Sequence, residues 1–245
     1  MKVYIQVGND REFININTSN AFHGFSTMGW EIEKFHFQSP AGLMRDDIVV
    51  GYISTVKNAL RNLGINPPSE IDYPEELSPY YGRKIWEDKL HNIANDPTTW
   101  PIFIKPKNGK QFDGRLVSSL KDLIGCASGS FPNEIINIWC AEPIEIISEW
   151  RCFIYYDKVM DVRPYKGSWR NHFDPQILDF VLDTLKDKPA AFTIDIGVTK
   201  EGKTIVVEIN DGYSVGCYGL QSNMYAKFIS ARWCEMARVP DFCKF

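Results

Sequence analysis

Histidine is scarce in this chain, with four in 245 residues (His23, His36, His91 and His172) and none at metal-ligand spacing from another. A histidine-based metal centre, or a nucleophile activated by histidine, has little to be built from. Six cysteines (Cys126, Cys140, Cys152, Cys217, Cys234 and Cys243) include no Cys-x-x-Cys pair. This argues against zinc and reads as reduced, mostly buried thiols. No stretch reaches the roughly 18 apolar residues of a spanning helix, and the start Met1-Lys-Val-Tyr-Ile-Gln-Val-Gly8 lacks the apolar region and cleavage site of a secretory signal. The reading is a cytoplasmic protein with no membrane role. Positive charge is not in excess either: 27 Lys and Arg stand against 31 Asp and Glu, a net charge of −4. Nothing general therefore draws the surface to nucleic acid, and any phosphate binding has to be local. Repeats and low-complexity tracts are absent as well.

What is present suffices for a sizeable core, since 44% of residues are hydrophobic and 24% charged. Val3 to Val7 and Asp47 to Ile53 read as short strands, the second followed by Ser54 as N-cap of a helix that runs through Leu63 and stops at Gly64. Asn66-Pro-Pro-Ser-Glu-Ile-Asp-Tyr-Pro74 is a turn-rich connection between two lobes. Beyond it Arg83 to Ala94 carries Ile85, Trp86, Lys89, Leu90 and Ile93 at helical spacing. Trp100 to Pro106 reads as a strand, Lys107 to Gly114 as a polar glycine loop, and Leu116-Val117 as the return. Glu134 to Cys140, Trp150 to Tyr156 and Val159 to Val162 are further strands, the last two joined by a turn at Asp157-Lys158. Asp174 to Leu185 and Leu220 to Ala237 are amphipathic helices. The expected class is α+β, in mixed layers with a largely antiparallel second half.

The stretch from Ala191 to Gly212 carries the most chemistry. Two β-branched runs, Thr193 to Thr199 and Thr204 to Ile209, flank the polar Lys200-Glu-Gly-Lys203, which suits a hairpin loop. With Thr199 facing Thr204, Asp195 faces Glu208 and Asn210 shares their face, while Ile194, Ile196, Val207 and Ile209 point into a core. Like charges directly opposite on a sheet repel, so a cation between them is expected, and an all-oxygen set suits Mg²⁺ or Mn²⁺. The competing reading is a solvated polar face, and a slip of one residue would separate the two acids.

Other residues stand out for their setting. Lys105 sits within an apolar strand, where an ammonium needs an anion or a path to water. Lys107 opens the loop that follows, whose Gly109 and Gly114 allow a ligand close to the backbone. Glu142 and Ile144 flank Pro143 between two strands, and their backbone donors and acceptors suit the edge of a base such as adenine. Glu149 and Arg151 share one strand face, as an ion pair or as binders of ribose and phosphate. Arg163 and Lys166, near a turn, are either solvated cations or groups that neutralise developing charge on a phosphoryl group. The glycine-rich Asp211 to Gly219 is a loop beside a ligand or a long turn into the last helix.

In this order, Lys105, the glycine loop, the Glu142 hinge, Glu149-x-Arg151, Arg163, Asp195 and Glu208-Ile-Asn210 resemble the signature of the ATP-grasp superfamily over roughly residues 100 to 220. Glu149-Trp-Arg-Cys-Phe-Ile154 is similar to glutamate-adding members, which usually carry Asp at the position of Glu149. The flanking segments resemble a compact bacterial and phage group. The resemblance implies an N-terminal α/β domain over residues 1–95 and an ATP-grasp domain over 96–245, with lobes near 96–142 and 143–245 closing on ATP. It implies that Lys105 and Lys107 meet phosphates, Glu142 and Ile144 meet adenine, and Glu149 and Arg151 line the nucleotide. Asp195, Glu208 and Asn210 would hold Mg²⁺ (or Mn²⁺), and Arg151, Arg163 and Lys166 would serve catalysis. The activity implied is joining of a small-molecule or peptide carboxylate to an amine through an acyl phosphate. A small-molecule kinase and a nucleotide-binding module without turnover are the alternatives.

Overall fold

Val3–Gln6 (β1) forms the centre of a parallel three-stranded sheet between Ile32–Phe35 (β2) and Ile48–Val50 (β3). Parallel neighbours need a crossover, and Ile16–Thr27 (α1) provides it between β1 and β2, while Ile53–Asn62 (α2) follows β3. The sequence pattern did not announce α1 or β2. The helix is rich in Asn, Thr and Ser, residues that favour caps and turns over helix interiors, and it is fixed by Asn15, whose side chain accepts from the amides of Asn17 and Thr18. The N-cap of α2 is Tyr52, in place of the expected Ser54; the Tyr52 amide donates to Gln6 Oε1 at 2.9 Å, which anchors the turn to β1. The structure, a computed structural model, describes residues 1–36, 39–107, 111–126 and 135–245.

The second sheet is antiparallel and contains Ile85–Lys89 (β4), Ile102–Pro106 (β5), Arg115–Val117 (β6) and Asn137–Ala141 (β7) in the order β4-β7-β5-β6. The helix expected over Arg83 to Ala94 is therefore replaced by β4 and a short helix, Leu90–Asn95 (α3). Pairing with β7, from Ile85 opposite Ala141 to Lys89 opposite Asn137, overrides the local spacing. Two expected features, Gly109 of the glycine loop and Glu134 at the start of a strand, lie outside the described residues.

Ile146–Tyr155 (β8), Lys158–Gly167 (β9), Ala191–Thr199 (β10) and Thr204–Asp211 (β11) form the third sheet, ordered β11-β10-β8-β9 and antiparallel throughout. Tyr156 and Asp157, both at positive φ, make the β8–β9 turn. Pro175–Thr184 (α4) and Ser222–Ala237 (α5) complete the fold.

The two faces of this third sheet are treated differently, and that difference makes a site. One face buries Cys152, Ile154, Phe192, Ile194, Ile196, Val206 and Ile209 against Leu178 and Val181 of α4. On the other face, Phe153 and Ala191 lie under α5 and join the core of the N-terminal sheet through Phe228, Ile229 and Trp233. Full burial of such side chains contributes about 1.5–3 kcal/mol each. Close contact between α1 and α5 depends on Gly24, where a Cβ would run into Ala226 and the backbone of Ser222. Farther along the same sheet face come Arg151, Asp195, Glu208 and Asn210, which form a polar floor facing the β4–β7 sheet. The six cysteines are free and buried, as their spacing led us to expect. Among the described residues no helix is long and apolar enough to cross a membrane.

Candidate active site

A β-bulge decides which acids meet. Asp195 pairs with Glu208, but Ile196 pairs with Val206, so Val207 is the extra residue on β11. In a regular strand residues 206 and 208 would share a face; the bulge lets Val206 enter the core while Glu208 turns to the site. The hairpin register is thus shifted by one residue from that expected, with Val198 opposite Thr204 and the Thr199 amide donating to Lys203 O at 2.9 Å, and the bulge restores the expected pairing of Asp195 with Glu208. Gly202, at φ +79°, closes the turn. Val207, expected in the core, is only partly buried. Arg83 holds this irregularity in place by donating to Val206 O at 3.4 Å and Val207 O at 3.2 Å.

Each acid has a cation. Arg151, directly across from Asp195 on β8, donates from Nε at 2.8 Å and Nη2 at 2.6 Å. Burial raises the Asp195 carboxyl pKa, and this bidentate bond is what favours its ionised form. Lys105 Nζ lies 2.8 Å from Glu208 Oε2 and 2.6 Å from Asp72 Oδ1. Burial works against that ammonium, yet Glu208, Tyr73 and Asp72 hold its pKa above the ordinary lysine value. The Glu208 carboxyl is pushed up by burial but ends below the usual range because of Lys105 and Asn210. Asn210 Nδ2 bridges the acids, at 3.0 Å from Glu208 Oε1 and 3.4 Å from Asp195 Oδ2.

The remaining expected residues are placed as follows. Glu149 is buried and accepts from Tyr165 Oη at 2.7 Å, with Lys166 as its ion-pair partner. Arg163 and Lys166 lie inside β9, where a loop was expected; Arg163 faces Arg151 across the sheet but turns its guanidinium to Asp161, at 2.6 Å. Lys107 pairs with Glu87 and lies over the Trp139 ring. Glu142 and Ile144 fall between β7 and β8, as read from Pro143, but the Glu142 amide already donates to Lys84 O at 3.1 Å.

A cavity of about 950 Å³ opens beside Lys105, Arg151, Glu208 and Asn210 and extends to Lys57 and Arg61 on α2. Its wall includes Ser214 to Gly216 of the glycine-rich loop, which is tied to the N-terminal unit by Ser214 Oγ donating to Gly51 O, just after β3, at 2.8 Å and by the Cys217 amide donating to Asn17 Oδ1 on α1 at 2.9 Å. Sequence reasoning missed Asp72, Trp139, Tyr165 and Tyr218. Tyr218 stacks on Tyr165 with ring centroids 4.9 Å apart and lies over the Arg151 guanidinium at 4.6 Å. An aspartate within a turn-rich connector and tyrosines in a strand and a loop carry no pattern that separates them from structural residues.

A partly buried lysine on one antiparallel sheet and a buried arginine on another, each paired with an acid, thus line one cavity. Residues 80–228 match the sequence profile of the ATP-grasp domain, R2K clade family 2. The chain belongs to this ATP-grasp family. Its fold is similar to that of D-alanine–D-alanine ligase from Bacillus anthracis in complex with ATP (TM-score 0.58, 14% identity, covering 97% of each chain). It is also similar to L-amino acid ligase from Bacillus licheniformis (TM-score 0.56, 11% identity, covering 96% of this chain and 75% of that one). At such identities the likeness concerns the ATP-grasp fold. Comparison with curated protein sequences gives no match.

The donor set suits a hard divalent ion. Asp195, Glu208 and, once its amide is turned, Asn210 offer oxygens on one sheet face, and Mg²⁺ commonly takes one or two protein carboxylates with phosphate oxygens completing its shell. Among the described residues no group of three or more His, Cys, Asp or Glu side chains is arranged to hold a metal. The trio has only two acids, and the Asn210 side-chain nitrogen faces both of them.

Proposed function

We propose that this ATP-grasp protein is an ATP-dependent carboxylate–amine ligase that works through an acyl phosphate with Mg²⁺. The observation that carries the reading is the adjacency of the Lys105–Glu208 and Arg151–Asp195 pairs to a cavity large enough for an acceptor molecule. ATP phosphates would take Lys105, and Asp195, Glu208 and Asn210 would hold the metal, which supplies charge neutralisation and orientation of the phosphates. Arg151 would meet negative charge on the transferred phosphoryl group. Phosphoryl transfer needs positioning and charge stabilisation more than a protein nucleophile, which agrees with the scarcity of histidine. Glu149, Glu142 and Ile144 belong to the nucleotide side, with Lys107, Arg163 and Lys166 as further cations that reach phosphate when their present partners release them.

In this reading the N-terminal α/β unit and the loop from Gly212 to Gly219 shape the acceptor site. The pairing of β4 with β7 supports a clamp that begins ahead of Ile85 and not at the 95/96 boundary drawn from sequence. Incubation with Mg²⁺, ATP and pools of carboxylates and amines, then of alcohols, tests the assignment by ADP release. ADP that requires both an acid and an amine supports the ligase. ADP with an alcohol alone identifies a kinase, and nucleotide binding without any ADP identifies a non-catalytic module.

A further inference from the structure

The connector between the N-terminal unit and the clamp reaches into the nucleotide site. Ile209 N donates to Asp72 O at 2.9 Å, which fastens the connector to β11, and Asp72 takes φ +49°, a left-handed conformation that aspartate adopts more readily than most residues. From that position its carboxylate crosses to the other sheet. Oδ1 accepts from Lys105 Nζ at 2.6 Å and Oδ2 from Trp139 Nε1 at 3.0 Å. Lys105 and Trp139 are cross-strand partners on β5 and β7, so the backbone of Asp72 is bound to one lobe and its side chain to the other. Asp72 precedes residues 80–228 and lies outside the segment that matches the family.

Lys105 is neutralised here by two carboxylates, and both must yield for phosphate to use its charge. Glu208 would turn to the metal of the proposed site. Asp72 belongs to no such group, and its side chain is only 13% exposed, so water offers it little compensation. The geometry points to Asp72 as a positioning residue of the nucleotide site: it holds Lys105 between the lobes when the cleft is empty and competes with phosphate for the ammonium, so that the connector sets the affinity of the clamp for nucleotide. This rests on the assignment of Lys105 to ATP phosphates.

The direction of the effect separates competition from mere support. Asp72→Asn keeps the size of the side chain and an acceptor for Lys105 but removes the competing charge. We expect it to bind a nonhydrolysable ATP analogue with Mg²⁺ about tenfold more tightly by titration calorimetry, because the Lys105 ammonium then gives up a bond to a neutral amide in place of a stronger one to a carboxylate. Lys105→Ala is expected to bind the analogue weakly, and to bind no more tightly when Asp72→Asn is added. A purely structural role predicts weaker binding in Asp72→Asn; unchanged or weaker binding overturns the proposal. Trp139 supplies a measurement in the native chain: the analogue should shift the emission component lost in Trp139→Phe, because the charges beside the indole rearrange. No shift in that component overturns the proposal even if Asp72→Asn does not fold. Wild-type protein that binds no analogue overturns both this proposal and the ligase assignment, whereas wild-type binding that is lost in Lys105→Ala but unaltered in Asp72→Asn overturns this one alone.

Discussion

Arg151 and Asp195 face each other across β8 and β10 and share two parallel hydrogen bonds, at 2.8 and 2.6 Å, with side chains 8% and 2% exposed. Neither group can lose its partner cheaply. Arg151→Ala is expected to lower stability by about 3–5 kcal/mol, the usual cost of leaving one member of a buried pair alone. Urea unfolding monitored by circular dichroism checks this, and a loss below about 1 kcal/mol would show that water reaches Asp195.

Neutralising the proposed metal ligands should act on nucleotide use. Asp195→Asn and Glu208→Gln are expected to abolish ADP formation and to remove the Mg²⁺ dependence of nucleotide binding, with far-ultraviolet circular dichroism unchanged in Glu208→Gln and with Asp195→Asn less stable through the loss of its buried pair with Arg151. Undiminished ADP formation in both variants rejects their metal role.

Lys105 makes two charge-assisted bonds, at 2.6 and 2.8 Å. If it transfers them to phosphate, Lys105→Ala should weaken binding of the Mg²⁺–analogue complex by about 10- to 100-fold, the equivalent of about 1.5–3 kcal/mol for hydrogen bonds to a charged group. Calorimetric affinity equal to that of the wild type would place the phosphates elsewhere.

Deletion of Val207 tests the bulge. Without the extra residue Val206 and Glu208 become neighbours on opposite faces, and the pairs Ile196–Val206 and Asp195–Glu208 join into a regular ladder. We expect the deletion variant to fold and to keep binding the ATP analogue. A folded variant that binds none would show that Glu208 is aimed by the bulge itself, held by Arg83 at Val207 O, and not by the pairing.

Asp122 gives a pH dependence independent of the nucleotide. Its carboxylate accepts from the amides of Ser118 and Ser119 at 2.9 and 2.8 Å, and these bonds, with the Ser119 hydroxyl, hold its pKa below the ordinary aspartate value. A depressed folded pKa stabilises the turn fully above the unfolded aspartate value of about 3.9, and that contribution is lost as pH falls through the lower folded value. Amide protection at Ser118 and Ser119 should therefore decline on acidification in the wild type and be weak throughout in Asp122→Asn. Equal protection in both proteins at neutral pH would contradict the assignment.

Strand alternation told that Glu208 and Asn210 share a face, because side chains on a strand repeat every two residues wherever the strand lies; that Asp195 joins them rested on a hairpin register that the bulge at Val207 restores. It also marked Lys105 as a cation in need of an anion, since an ammonium among apolar neighbours is costly anywhere. The order of these residues along the chain was enough to suggest the clamp. What alternation could not supply was the partner of each charge. Arg151 answers Asp195 because β8 packs beside β10, and β4 is a strand because β7 offers it an edge, against a helical spacing in its own residues. Asp72 meets Lys105 and Trp139 from a connector that reads as an ordinary turn. Local patterns follow from the geometry of a single chain segment, whereas these pairings join residues tens to more than a hundred positions apart, and only the packing of the sheets brings them within hydrogen-bonding reach.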